Sequence, residues 1–501
     1  MGRAGPAPDR APEILGLTAD SRAVRPGFLF AALKGAHSDG RAFIGDALSK
    51  GAVAVLTDLR EPLPAPVAED GNPVPVIADA NPRRRLAMLA ARFHGAQPAT
   101  VAAVTGTSGK TSTVAFTRQI WATLGLKAAS MGTLGIVAPG VKRKGALTTP
   151  DPVELHAELA ALKRAGIEHL AIEASSHGLD QFRLDGIDIA AAGFTNLSRD
   201  HLDYHPDMAA YFAAKLRLFD EVMPAGRAAV LNADVPEFDA LVAVAKRRRH
   251  RVIAYGRNGA ELRLEALQEG ATGQDLTLSA FGARMAVRLP LAGAFQAHNA
   301  LCAAGLAIAC GATPARAVAA LAELSVVPGR IELVATHHSG APVYVDYAHK
   351  PDALRTILET LRPLTRGRLV VVFGAGGDRD PGKRPQMGEI ACRLADRVIV
   401  TDDNPRSENP AAIRRAILAG CPARDAGKVL EIGDRARAIA AAIDGLRAGD
   451  VLVIAGKGHE QGQTVGDTVL PFNDAEEARV VVAALARRAP SPSDREDGRD
   501  R

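Results

Sequence analysis

The stretch TGTSGKTS at 105–112 closes an apolar, strand-like run over 101–106 and leads into helical periodicity over 111–124. A Gly-Lys-Thr turn between a strand and a helix is the context that binds phosphate. Gly106 and Gly109 let backbone N–H groups close around oxygens, Lys110 supplies a point charge, and the Thr111 hydroxyl suits Mg²⁺. Val104 stands where the first glycine of the longer phosphate-loop pattern would be, so the loop is one of the shorter variants. A GTPase is the nearest rival, but no NKxD base-reading tetrad occurs. The reading that follows is a nucleotide site on a parallel sheet.

Working outward, further strand-like runs lie at 169–174, 190–196, 228–232, 251–255, 343–347, 368–374, 397–401 and 451–455. Many lead into helical patterns, such as 208–222, 352–361 and 434–446. That alternation predicts an α/β protein with parallel, helix-covered sheets. Polar/apolar alternation over 261–291 interrupts it and predicts antiparallel strands. HGAQPA near 95–99 and SVVPGR near 325–330 read as boundaries. Three units are expected, at 1–96, 97–326 and 327–488, with 489–501 a Pro- and charge-rich tail and residues 1 to about 13 a similar frayed end.

Composition narrows the function classes. A chain of 501 residues with 47% hydrophobic and 23% charged residues is a multidomain globular protein. The 61 Lys plus Arg against 56 Asp plus Glu leave only +5, spread along the chain, which disfavours a nucleic-acid binder. Cys302, Cys310, Cys392 and Cys421 form no CxxC or ligand-like spacing, so neither a disulfide framework nor structural zinc is expected. No signal peptide and no apolar run of about 18 residues is present, so a cytoplasmic protein without a membrane partner is expected.

Glu173 ends one strand-like run and His201 follows another, in TNLSRDHLDYH. Ligands gather at the carboxyl ends of parallel strands, so both can face the phosphate loop, with Thr111, Glu173 and His201 as candidate magnesium residues. His201 and His205 have the spacing of a zinc pair, but Leu202 stands where a metalloprotease needs Glu. Lys215 falls within the apolar stripe Met208, Tyr211, Phe212, Leu218, Phe219 and Val222. Two readings stay open there: the stem packs while the ammonium reaches water, or burial leaves a neutral amine that combines with CO₂ to give a carbamate.

In the third unit DYAHKPDAL (346–354), VFGAGGDRDPGKRP (372–385), TDDNPRSENP (401–410) and AGKGHEQGQ (455–463) each follow a strand-like run. Four polar loops at one sheet edge predict a pocket. Arg384 and Arg406 suit carboxylates and Glu460 suits an ammonium group, so a zwitterion such as an amino acid fits.

Taken together with DSRAVRPGFLF (20–30), TTPD (148–151), EASSHGL (173–179) and VPGRIE (327–332), these blocks resemble the Mur ligases from about residue 17 to 475. That family consists of ATP-dependent enzymes that add amino acids to UDP-N-acetylmuramoyl peptides. The resemblance is to the members that add the third residue. It implies an N-terminal UDP-binding α/β domain, a central P-loop ATPase domain with a parallel sheet, and a C-terminal Rossmann-like domain. ATP, Mg²⁺ and a carbamylated Lys215 are the implied cofactors, with a monomer as the expected functional unit.

The same resemblance assigns roles by position. Ala19, Ser21, His37 and Ser38 match the uridine-diphosphate site. Thr148, Thr149, Ser175, Gln181 and Arg183 match positions that hold the muramoyl dipeptide. Gly106, Thr107, Ser108, Gly109, Lys110, Thr111, Ser112, Asn299 and His349 match the ATP site, and Lys110, His201 and Lys215 are the implied catalytic groups. Arg384, Asp403, Asn404, Pro405, Arg406, Gly456 and Glu460 match the site of the incoming amino acid. DNPR (403–406) marks members that add meso-diaminopimelate, whose second carboxylate lysine lacks. Charge-assisted bonds from Arg406 to that carboxylate would be worth roughly 1.5–3 kcal/mol. Lysine addition, glutamate ligation onto folate, and a nucleotide-dependent regulator without ligation are the alternatives. Ser108, Leu147 and Gly462 depart from the family pattern.

Overall fold

The computed structural model describes residues 12–35, 38–60, 66–67, 71–143, 145, 147–270 and 273–488. His37, most of the N-terminal end and the 489–501 tail lie outside them. The described residues form four sheets, of four, eleven, six and two strands.

The eleven-stranded sheet carries the phosphate loop. Its middle is parallel because each strand is followed by a covering helix, and both faces are buried. In Thr100–Thr105, Ala102 and Val104 point into one core while Val101 and Ala103 point into the other. The helices Lys110–Thr123 and Ala294–Ala309 cover the first face. Pro152–Arg164, Met208–Arg217 and Phe238–Arg247 cover the second. Thr100–Thr105 pairs with His169–Glu173 on one side and Ala191–Phe194 on the other. The chain leaves Thr100–Thr105 toward one edge, returns through His169–Glu173, and then builds toward the other edge. The point of reversal therefore lies at the carboxyl end of Thr100–Thr105, where open α/β sheets bind ligands.

The alternating segment forms Leu262–Gly270, Gly273–Ala280 and Ala283–Leu289, paired antiparallel as expected. At the opposite edge two short antiparallel strands, Gly135–Ala138 and Val141–Arg143, extend the sheet. The helical pattern over 208–222 resolves into an α-helix, Met208–Arg217, and one wider π-helical turn, Leu218–Val222.

The six-stranded sheet has a second reversal. Val451–Ala455, the last of its strands in sequence, inserts between Pro342–Asp346 and Leu369–Phe373. The loops after these strands, with the one after Arg397–Val400, share one edge. The four-stranded N-terminal sheet is parallel throughout. Its helix Pro82–His94 packs on the central unit, where Val153 joins the cluster around Leu86 and Ala90. Arg84 reaches across to Asp185, which also accepts two bonds from the buried Arg217.

Candidate active site

Glycine is required in the phosphate loop by both backbone and space. Gly106 has φ +143° and a Cβ there would sit 1.9 Å from Thr195 Oγ1. Gly109 has φ +85° and its Cβ would meet Asn299 Oδ1 at 2.3 Å. Both lie where L side chains are strained. The loop is tied to the next strand end: Thr107 N donates to Asn196 O at 2.9 Å, Ser108 N to Asn196 Oδ1 at 2.9 Å, and Thr195 Oγ1 to Ser108 O at 2.6 Å. Ser108 thus holds the loop through its backbone.

Two lysines converge on one carbonyl. Lys110 Nζ and Lys215 Nζ each donate to Gly106 O at 2.8 Å. Lys215 is 1% exposed and sits over the Tyr211 ring, so the reading in which its ammonium reaches water is overturned. The helix turns its apolar stripe inward and carries Lys215 with it. Burial, with Lys110 and Lys350 nearby, pushes its amine well below the ordinary lysine range. Burial, with Lys350 nearby, also brings Lys110 down to about 8.

Glu173 is buried, its carboxylate accepting from Thr133 N at 2.8 Å and Thr133 Oγ1 at 3.2 Å. The sequence-expected dipeptide positions form one network around it. Thr149 Oγ1 donates to Glu173 O and lies 3.0 Å from Ser175 Oγ; Thr148 bonds Thr133; Arg183 donates to Thr149 O and to Gln181 Oε1. His201 adopts φ +54°, with Nε2 2.9 Å from Asp200 Oδ2. Burial would raise the Asp200 carboxyl, but Lys350 and His201 outweigh it and hold it far below the usual range.

Two adjoining cavities, of about 550 and 750 Å³, open over these groups. The smaller is lined by Thr107–Ser112, Glu173 and Asn299. The larger is lined by Thr149, Arg183, Asp403, Asn404, Arg406, Gly456 and Glu460. Thr148, Ser175, His201, Tyr347, His349 and Lys350 belong to both. Burial, then Lys350 and Lys383, pushes His349 well below its ordinary value.

In the third unit Arg406 has φ +51° and its Nη1 donates to Gly377 O. Its backbone is gripped by the hairpin Gly462–Val465/Thr468–Pro471: Arg406 N donates to Thr464 O and Gly466 N to Arg406 O. Pro405 O accepts from Glu408 N, and Arg384 donates to Glu408 Oε1 at 2.7 Å. Gly456 is needed at φ +118°, since a Cβ would lie 2.5 Å from Asp403 Oδ2. At Gly462 a Cβ would press on Val469 Cγ1 at 2.6 Å.

Not every expected residue faces a cavity. Lys215, Gln181, Arg384 and Pro405 stand behind the walls, and Ala19, Ser21 and Ser38 lie on the N-terminal unit away from both cavities. Ser21 is buried and its carbonyl accepts from Lys50. Asp200, Lys350, Arg330 and Lys457 carry contacts that sequence reasoning did not single out. Each sits inside a stretch already quoted from the sequence. Arg330, from the stretch joining the second and third units, places Nη2 3.3 Å from Thr111 Oγ1 and stacks on Tyr347.

Residues 104–307 match the Mur ligase middle domain, 329–458 the Mur ligase glutamate ligase domain, and 13–94 the domain described as Mur ligase family, catalytic domain. The chain belongs to the Mur ligase family. Among Mur ligases it is 57% identical over 480 residues, 95% of this chain and 96% of the relative, to the UDP-N-acetylmuramoyl-L-alanyl-D-glutamate–2,6-diaminopimelate ligase of Bradyrhizobium diazoefficiens. It is 54% identical over 477 residues, 95% of this chain and 96% of the relative, to the Mesorhizobium japonicum protein of the same name. A solved Mur ligase structure, again titled as that ligase, aligns with TM-score 0.67 and 33% identity over 94% of this chain and 95% of the other. The three matched Mur ligase stretches correspond to the three larger sheets.

Proposed function

We propose that this Mur ligase joins meso-diaminopimelate to UDP-N-acetylmuramoyl-L-alanyl-D-glutamate with hydrolysis of ATP to ADP, a step of peptidoglycan precursor synthesis. The observation that carries this reading is the shared wall of the two cavities. A phosphate loop and a loop that reads acids and amines open onto the same His201, His349 and Lys350. The names of the relatives at 57% and 54% identity agree with it. Residues 1–96, 97–326 and 327–488 are read as the UDP-, ATP- and amino-acid-binding units of a monomer. Among the described residues no helix is long and apolar enough to cross a membrane, and a cytoplasmic site of action fits nucleotide-linked substrates.

The chemistry is a phosphoryl transfer followed by an acyl transfer. The side-chain carboxylate of the D-glutamyl residue takes the γ-phosphoryl group of ATP, and ADP leaves. The diaminopimelate nitrogen then attacks that carbonyl carbon, phosphate leaves, and the nitrogen gives up its proton. Catalysis of this kind is positioning and charge neutralisation. The loop 106–112 cradles the phosphates, with Lys110 as the fixed charge and Asn299 and His349 along the nucleotide cavity. Thr148, Thr149, Ser175 and Arg183 orient the dipeptide, with Gln181 behind them accepting from the Arg183 guanidinium. Asp403, Asn404, Arg406, Gly456 and Glu460 receive the amino acid, with Arg384 supporting them from behind through Glu408.

Mg²⁺ binds through one or two carboxylates plus substrate phosphates rather than in an all-protein cage. The buried Glu173 carboxylate and the Thr111 hydroxyl beside the glycine cradle fit that demand, with His201 on the same wall. When bound, the ion supplies neutralisation of phosphate charge. Lys215, a buried amine whose uncharged form burial favours, fits conversion to a carbamate. ADP release with the UDP-linked dipeptide, comparing diaminopimelate, lysine and no amino acid, tests the reading. Release should require an amino acid and favour diaminopimelate; preference for lysine would overturn the role of Arg406.

A further inference from the structure

Behind the amino-acid pocket lies a lysine that the proposed chemistry does not use. Lys457 follows the inserted strand Val451–Ala455 and is 0% exposed, a rare position for an ammonium group unless it is paired. Its Nζ donates to Asn404 Oδ1 at 2.9 Å and to Glu460 Oε2 at 2.8 Å. Thr464 N, from the hairpin, donates to the same Asn404 Oδ1 at 2.9 Å. With two donors on Oδ1, the amide has one orientation: a flip would turn its NH₂ against an ammonium and an N–H. The amide Nδ2 is therefore aimed at Glu460 Oε2, 2.9 Å away. Two donors thus hold Oε2 of Glu460. Among the described residues none donates to Oε1, and Glu460 and Asn404 both line the larger cavity.

We propose that Lys457 is a positioning residue for amino-acid capture: it locks the Asn404 amide and turns Glu460 so that its second carboxylate oxygen faces the incoming ammonium group. The inference rests on the amino-acid site proposed above and adds the group that sets its geometry. Lys457 lines neither cavity. It acts through the two residues it bonds, on one of three substrates. A residue that merely stabilised the third unit would weaken all of its functions together, including the part it contributes to the nucleotide cavity.

The test uses the full chain carrying Lys457→Met or Lys457→Gln, with initial rates measured at varied diaminopimelate, ATP and UDP-linked dipeptide. KM for diaminopimelate is expected to rise about 10- to 100-fold, the effect of charge-assisted bonds lost or misdirected. KM for ATP and for the dipeptide should stay within about twofold, because uniform binding of one substrate alone is removed. Lys457→Gln keeps a donor at the site and serves if Lys457→Met does not fold. Unchanged KM for diaminopimelate, or a parallel loss in all three substrates, overturns the proposal. If the unaltered chain works with lysine instead, the substrate reading fails, and the same comparison with lysine still decides the role of Lys457.

Discussion

Lys350 Nζ lies 2.5 Å from Asp200 Oδ2, an ion pair between the sheet that holds the phosphate loop and the sheet that holds the amino-acid loops. Both side chains are about one-seventh exposed, at 13% and 15%. The pair therefore joins the two units at the wall their cavities share. A charge-assisted bond of this kind contributes roughly 1.5–3 kcal/mol. Lys350→Gln should loosen the docking of the third unit, raising the radius of gyration in small-angle scattering and lowering kcat at saturating substrates. An unchanged scattering curve with unchanged kcat would remove the pair from any role in docking.

The pH dependence of nucleotide use follows from Lys110. An ammonium lowered to about 8 is charged below that pH and lost above it. For the free protein, reported by kcat/KM for ATP, activity should fall as pH rises through about 8. Bound phosphates favour the charged form, so the limb on kcat should lie at higher pH. Lys110→Arg, which stays charged, should abolish the alkaline limb in whatever activity remains. Persistence of the same limb would assign it to another group.

Lys215→Ala removes the buried side chain beyond Cβ with its bond to Gly106 O; turnover should fall by several orders of magnitude, with circular dichroism checking that the fold is kept. Since burial favours the uncharged amine, carbamate formation should depend on the supply of CO₂. Depleting bicarbonate should lower activity and restoring it should recover activity. A carbamate carbon resonance from ¹³C-bicarbonate, absent in Lys215→Ala, is the direct check.

Arg406→Ala should lower kcat/KM for diaminopimelate about 10- to 150-fold, corresponding to roughly 1.5–3 kcal/mol. Lysine, which has no second carboxylate to lose, should change little. Equal losses for both amino acids would show that Arg406 acts on the loop rather than on the ligand.

Gly106→Ala places a methyl group 1.9 Å from Thr195 Oγ1 and 3.1 Å from Asn196 N at φ +143°. Such backbone strain costs about 1–3 kcal/mol. Calorimetric ATP binding should be lost with circular dichroism unchanged; retained binding would show that the loop yields at Thr195.

Much of this was legible because it is local. Apolar runs bounded by polar residues located the strands at 101–106, 169–174 and 451–455, and helical periodicity located the helix that begins at Met208. The phosphate loop needs no partner to be read, since its chemistry lies in consecutive residues. The short strands of the N-terminal sheet, three to five residues each, carry too few alternations to stand out. The hairpin at 462–471 is built from exposed residues such as Val469 and Leu470, with no buried face to mark it. Lys457 and Arg435 escaped notice for a different reason. Their partners Asn404 and Asp474 lie 53 and 39 residues away, and pairing at that range follows from the order of strands rather than from any motif.

The hairpin holds Arg406 by main-chain bonds alone, while Val469 on its outer strand is 65% exposed. The tip can therefore carry a foreign group without altering the grip beneath it. A fluorophore placed at position 469 would ride on the segment that clasps the arginine, turning arrival of the amino acid into an optical signal.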